Sequence, residues 1–339
     1  MLDITAAKQK VFSQNIANVN TINLAMRDRK RTREQFVNST KLHNKLKDLD
    51  YRVKWSMGKW YDKKYEVDKK DHKYLVELKQ MPAQHYPSVP YIMKNHKYFL
   101  YAHGDVQHST KLPCITKTRS IYCGSNIIMA IWLERHWGTV RDVKKKDIPF
   151  DKKKPICFWR GVTTSGNPRR PGDRLKLVEK WFKQCPEIDV GFSGIVQIKE
   201  SKLEQRLPGY KHYVVGNSPI ETFLTHKYLI SVEGNDVATG LKWMLYSNSL
   251  VLMPLPRMVS WFMEDHLIPY EHYVPIKDDW SDLKDKFYWC EANPERCKLI
   301  INNANAYVQH FLDDFNNGFA NKIMQTISDK YSENIKFYI

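Results

Sequence analysis

The hydrophobic positions of this chain change their spacing near residue 150. Residues 5 to about 57 are polar, with apolar side chains recurring loosely three to four apart (Val11, Ile16, Leu24, Phe36, Leu42, Leu46), which predicts helix. From 59 to 150 short strand-like and helix-like stretches mix. KYFLYAHGD (97–105) predicts a strand ending in a turn, and SNIIMAIWLERHW (125–137) fits either a helix or a long buried strand. The lysine-rich run 144–154 predicts a linker. Beyond it, PICFWRG, IDVGFSG, HKYLISVEG, SLVLMP and HYVPI are short apolar runs closed by turn residues, the pattern of strands covered on both faces. Helical stretches separate them. Asp173 stands at the cap position before an apolar face of Leu175, Val178, Trp181 and Phe182, and Ser281 can cap WSDLKDKFYW. Asn293-Pro294-Glu295 sets a cap, a proline at the first helical position and an acid in the first turn of ERCKLIINNANAYVQHFL. This alternation predicts a parallel sheet flanked by helices.

Composition narrows the class. The 339 residues, 42% hydrophobic and 13% aromatic, suit a globular chain with room for two domains. No run approaches the roughly 20 apolar residues of a membrane span. MLDITAAKQKVF has no signal-peptide core, so the expected location is cytoplasmic (the host cytoplasm, were the chain viral). Six cysteines include no C-x-x-C pair, which argues against zinc and for reduced thiols. Cys290 and Cys297, seven apart, read as packing on one helix face. The net charge of +17 is compatible with nucleic acid, an anionic membrane surface or a phosphorylated substrate. Its lysines crowd 59–79 and 144–154 with acids interleaved, as on solvated faces, and no nucleic-acid-binding signature accompanies them. Peripheral membrane contact stays open, although no amphipathic stretch speaks for it.

Two junctions carry candidate chemistry. In VEGNDVATGLKWML (232–245) a strand feeds a helix through Gly234. Asn235 or Asp236 can cap that helix, whose N–H groups favour an anion; Ala238, Thr239 and Gly240 admit a ligand to the backbone, and Lys242 adds charge. A tight connection explains the same glycine as well. WRGVTTSGNPRRPGDRLKLV (159–178) has the same layout with Arg160, Arg169, Arg170 and Arg174. Forked guanidinium donors beside helix-end amides suit a diphosphate; surface arginines near a loop are the plainer alternative.

FWRG, GDRLKLVEKWF with IDVGF, HKYLISVEGNDVATGLKWMLYSNSLVLMP, SWFMEDHLIPYEHYVPIKDDWSDL and NANAYVQHFLD occur in that order. Together they resemble glycosyltransferase family 90, which includes bacterial lipopolysaccharide-modifying enzymes and Rumi-type protein O-glucosyl- and xylosyltransferases. The likeness runs over about 97–315 and is nearest the bacterial members and those of large DNA viruses. It implies an α/β chain of GT-B architecture, two Rossmann-like domains facing across a cleft. The expected division is 1–148, an acceptor-side domain with a helical leader; 149–312, a nucleotide-sugar domain; and 313–339, a helical tail that can return to the first domain. It implies an inverting transfer from a UDP-sugar to a glycan hydroxyl, with no metal or other cofactor, xylose favoured over glucose. Arg174 matches the arginine on the donor diphosphate. Ala238 and Gly240 stand where the Rumi branch has serine and arginine, so charge here would come from Arg174, Arg160 or Arg170, Lys242 and backbone amides. Trp261 or Glu264 would touch ribose or base, with core packing the alternative for Trp261.

An inverting transfer needs a base on the acceptor hydroxyl. Asp105, after Gly104 at a strand end, is the expected base, since the resemblance to the bacterial members implies a similar Gly-Asp ahead of a Lys-x-Arg segment, here Lys117-Thr118-Arg119; an Asx turn is its alternative role and His108 the second candidate. Lys117 and Arg119 would orient a substrate or pair with acids. Asp48-Leu49-Asp50 has the Asp-x-Asp form of a metal-binding transferase motif but lies in a charged, helical stretch away from a strand end. The competing classes are a polyanion- or nucleic-acid-binding protein and a non-catalytic transferase-like protein.

Overall fold

A computed structural model describes residues 41–68, 73–77, 97–102, 104–105, 109–122, 126–129, 133–164 and 173–338. The helix expected over residues 5–40 and the candidates His108 and Arg170 lie outside these. The chain forms two compact units, Met1–Arg52 and Val53–Ile339. In the first, 41–47 is helical, and Asp48 accepts the Tyr51 N–H at 3.0 Å, a turn-capping role for the first acid of the Asp-x-Asp.

The second unit is built on one five-stranded parallel sheet. Its strands are β1 (Lys154–Val162), β2 (Ile188–Gly194), β3 (His226–Ile230), β4 (Leu250–Met253) and β5 (Val274–Pro275). The spatial order is β5-β4-β3-β1-β2. Six helices serve the argument: α1 (Leu133–Lys146), α2 (Arg174–Trp181), α3 (Leu241–Tyr246), α4 (Leu283–Ala292), α5 (Pro294–Asn316) and α6 (Phe319–Asn334). Alternate residues of β1 face opposite layers. Cys157 and Trp159 join Val190, Phe192, Tyr228, Ile230 and Leu252 in a core closed by Leu175 and Val178 of α2, Phe287 of α4 and Ile300 of α5. Phe158, on the other face, stacks on His226 at 4.3 Å and meets Phe223 edge-on at 4.9 Å. On that side α3 packs against α1 and α5, and Trp137 of α1 stacks on Phe311 of α5 at 6.3 Å. Each such large side chain removed from water contributes about 1.5–3 kcal/mol.

The remaining strands pair two by two. Thr118–Ser120 runs antiparallel to Met258–Ser260, and Leu75–Glu77 antiparallel to Tyr98–Leu100. Ile115–Thr116 lies parallel to Ile127–Ile128, and Tyr65–Asp68 parallel to Ile335–Tyr338. The last pairing brings the end of α6 back to the segment after Trp60, where Asn334 donates to the Trp60 and Tyr61 carbonyls.

Several local expectations are corrected. The stretch 125–137 is neither one helix nor one strand: Ile127–Ile128 is a short strand and α1 begins at Leu133. The lysine-rich run is fastened, not loose. Lys144 to Lys146 end α1, and the buried Lys153 ammonium bonds Asp147 and the Leu224 carbonyl. Ser281 does not cap α4; Asp282 holds that position and its carboxylate accepts the Lys277 N–H at 2.9 Å. Cys290 and Cys297 sit on different helices, α4 and α5, with the Cys297 thiol donating to the Cys290 carbonyl at 3.5 Å. Both are free thiols.

Candidate functional site

In an open parallel sheet, ligands gather beyond the carboxyl ends of strands where the strand order reverses. Here β1 continues to β2 on one side, and the chain then crosses to β3 on the other. The crevice between the ends of β1 and β3 is therefore the place to look, and Arg174 lies in it. Asp173 caps α2 by accepting the Leu175 N–H at 3.0 Å, and Trp280 donates its indole N–H to the Asp173 carbonyl at 3.1 Å. This fixes Arg174 as the first residue of the helix. Its guanidinium donates to the Val162 carbonyl (3.0 Å) and Thr164 hydroxyl (2.7 Å) past β1, and to the Val232 (3.1 Å) and Glu233 (3.2 Å) carbonyls past β3. Four of its five N–H groups are thus committed to the protein. Desolvation lowers its pKa to about 10, which leaves it cationic at neutral pH.

Gly234 follows from this arrangement. A Cβ there would stand 3.2 Å from an Arg174 Nη and 3.3 Å from the Thr164 hydroxyl. The glycine admits the arginine, a reason internal to the fold. The turn after it differs from the expected cap: α3 begins only at Leu241, with Gly240 at its cap position and no side-chain bond, so neither Asn235 nor Asp236 caps it. The Leu241 N–H is already given to the Ala238 carbonyl at 3.0 Å.

Asn235 and Asp236 reach across the crevice instead. The Lys117 ammonium lies 2.6 Å from Asp105 and 2.9 Å from Asp236. Asn235 donates its amide to Asp105 at 3.1 Å and to Gln197 at 2.6 Å. Burial pushes the Asp105 carboxyl up, but the Lys117 ammonium and the Asn235 amide outweigh it, and its pKa is lowered. Burial dominates at Asp236 and raises its pKa against the pull of Lys117. Burial opposes the charge of Lys117 too, yet the two carboxylates prevail and raise its pKa. The sequence offered no signal for Gln197, which enters through a left-handed backbone turn (φ 58°) after β2.

The other named residues divide between this crevice and the fold. Arg160 pairs with Asp189 of β2 at 2.7 Å and covers the Phe158 ring. Lys242 is buried 3.6 Å from Glu264, whose carboxylate also accepts the Ser260 N–H and hydroxyl at 2.6 and 2.7 Å. Trp261 is buried and Thr239 exposed. Arg119 braces the backbone of Trp55, Ser56 and Asn126. Glu233, unremarked in the sequence, accepts the N–H groups of Arg257 (2.8 Å) and Met258 (3.0 Å), tying the turn to the Met258–Ser260 strand. Beside that turn, Ser231, Val237, Ala238, Leu241, Met253 and Pro256 line a mostly apolar hollow of about 410 Å³, counting space open to solvent. No group of three or more potential metal ligands occurs among the described residues.

Comparison with known proteins identifies the family of this region. The description "Glycosyl transferase family 90" matches residues 118–337, which takes in Arg174, the Gly234 turn and Glu264 but not Asp105. An O-glucosyltransferase LpsA of Dichelobacter nodosus is 33% identical over 210 residues, covering 61% of this chain and 59% of that protein. An uncharacterised protein 035R of Invertebrate iridescent virus 3 is 36% identical over 170 residues, covering 48% of this chain and 15% of its own length. Human protein O-glucosyltransferase 3 is 32% identical over 132 residues, covering 38% and 24%. The chain thus spans less than two thirds of each. Among solved structures, sucrose-phosphate synthase from Thermosynechococcus elongatus aligns with TM-score 0.36 and 15% identity over 62% of this chain and 53% of that one, a likeness too slight to fix the architecture.

Proposed function

Since this chain belongs to glycosyltransferase family 90, we propose that it moves a sugar from a UDP-sugar to a glycan hydroxyl, with inversion and without a metal. The observation that carries this is the convergence of Arg174, the Gly234 turn and Asp105 at the point where the strand order reverses. In this reading the sheet unit holds the nucleotide, with the hollow beside Ala238 as the donor's place, and the segment 97–129 supplies the acceptor side of a GT-B-like cleft. Asp105 takes the acceptor proton. The acceptor oxygen bonds the anomeric carbon, and the bond from that carbon to the diphosphate breaks with its electron pair leaving on UDP. Arg174, fixed before the reaction begins, faces the charge that grows there; one such preorganised donor is worth about 2.7–4 kcal/mol in related chemistry. Glucose and xylose are the donors to compare, glucose because the named relatives are O-glucosyltransferases.

Thermal shift with UDP, ADP, UDP-glucose and UDP-xylose tests the reading. UDP at 100 times its dissociation constant should stabilise by about 2.7 kcal/mol, and ADP should not. A chain stabilised equally by ADP, or by none of the four, refutes it. Tight DNA or RNA binding that collapses with salt would favour the polyanion class suggested by the +17 charge.

A further inference from the structure

The cations around the strand ends are not equivalent. Arg160 is paired with Asp189, Lys242 with Glu264, Arg257 with Asp278, and Arg174 is held by strand-end carbonyls and Thr164. Lys117 differs in kind. Its side chain is 28% exposed, and its ammonium stands between two carboxylates from opposite sides of the crevice. Asp105 comes from the segment before the sheet, and Asp236 from the turn after β3. Both carboxylates are fixed independently of the lysine as well. Asn235 donates to Asp105, and the Thr118 hydroxyl lies 3.5 Å from Asp236. Asp105 and Asp236 also face each other, and their hydrogen bond lowers the pKa of the first and raises that of the second; the other charged groups facing the pair among the described residues are Lys117 itself and, toward Asp236, Arg174. Lysine is a compact charge on a flexible stem, so it can change partner without any movement of the backbone.

We infer that Lys117 is a positioning residue for the base: it clamps the Asp105 carboxylate over the ends of β1 and β3 and turns its charge to the donor side once Asp105 has taken a proton. The inference rests on the sugar-transfer reading above. In that step the acceptor proton ends on Asp105, which becomes neutral, while the electron pair of the broken carbon–oxygen bond leaves on the diphosphate. Lys117 then has only Asp236 to balance it as new negative charge appears next to the same turn. Before the step, Asp236 holds part of the ammonium's attraction away from Asp105, so the base is kept ionised without being masked. The lowered pKa of Asp105 agrees with the clamp, whereas burial and the facing Asp105 raise the pKa of Asp236 against the pull of Lys117.

Two measurements on the full chain test it. The first is the pH profile of UDP release from UDP-glucose with water as acceptor, for the wild type, K117M, K117R and D236N. Removing a cation from within hydrogen-bond distance of a carboxylate raises its pKa by about one to three units. The acid limb of kcat/KM should therefore move up by that much in K117M and return in K117R, with kcat falling more than KM rises. In D236N the whole ammonium falls to Asp105, so the limb should stay or move down while kcat drops. The second is a carbon-13 titration of labelled aspartate carboxyls, with Asp105 assigned by D105N. Its midpoint should lie below that of an ordinary aspartate in the wild type and K117R and rise in K117M. An Asp105 midpoint unmoved in K117M overturns the proposal, as does a K117M activity loss that is uniform across pH. If the wild type neither binds UDP nor releases it from UDP-glucose, the sugar-transfer reading and the charge relay fail together. The titration still decides whether Lys117 clamps Asp105.

Discussion

Gly234 is defined by what lies over it. The Arg174 fork crosses the turn within 3.2 Å of where a side chain would begin. Gly234→Ala should push the guanidinium a few tenths of an ångström against its fixed bonds and cost about 1–3 kcal/mol, the usual penalty for overpacking, read as a fall in melting temperature. Arg174→Lys keeps the charge but cannot serve four acceptors on two strand ends. A loss of about 1–3 kcal/mol for each acceptor left unserved in the interior sets its scale, and an unchanged unfolding midpoint in urea would contradict that role. His272 supplies a pH-dependent case. Its ring is buried, accepts the Ile268 N–H at 2.9 Å, and burial lowers its pKa to about 3, with Glu271 at 4.0 Å. The folded state thus resists a proton that the unfolded chain accepts near pH 6.5. Stability from this site is full above pH 6.5 and declines as pH falls toward 3. His272→Gln should flatten that slope between pH 6 and 4 in melting curves. The roles of Gly234 and Arg174 could not be read along the chain, because each depends on a group brought from elsewhere: Arg174 is sixty positions before Gly234.

Elements were legible in proportion to how local their causes are. The five strands of the sheet read directly from short apolar runs, and Asp173 and Pro294 announced their helices because cap and first turn are adjacent in sequence. Asp173→Ala should cost about 0.5–2 kcal/mol, as for other lost caps, and should also loosen Arg174, so the stabilisation by UDP should shrink with it. An unaltered UDP shift in that variant would separate the cap from the site. The six-residue α3 was misread at its start because Asn235 and Asp236 are good cap residues whose side chains are engaged by Asp105, Gln197 and Lys117. Lysines 144–154 looked like solvent-facing linker because composition does not reveal that Asp147 waits inside for Lys153.

At the scale of the molecule, the described residues are joined by pairings of long sequence separation that no window of sequence displays. Tyr65–Asp68 finds Ile335–Tyr338, and Val67 is wholly buried in consequence. Deleting residues 335–338 should expose Val67 and release the hydrogen bonds of that ladder, lowering the melting temperature and speeding amide exchange at residues 65–68. Unchanged exchange there would show that the ladder contributes little. The candidate site was half legible for the same reason. Its sheet-side parts lie within recognisable stretches, whereas the meeting of Asp105 with Asn235 spans 130 positions.

The antiparallel match of Thr118 to Ser260 and Ser120 to Met258 places a constraint of its own on the acidic crevice. Lys117 sits immediately before this strand, so the paired register of Thr118 sets where the ammonium can reach. A residue inserted between the two would carry the ammonium away from Asp105 and Asp236 while Thr118 stayed in its ladder. Natural variants should therefore keep these two residues adjacent.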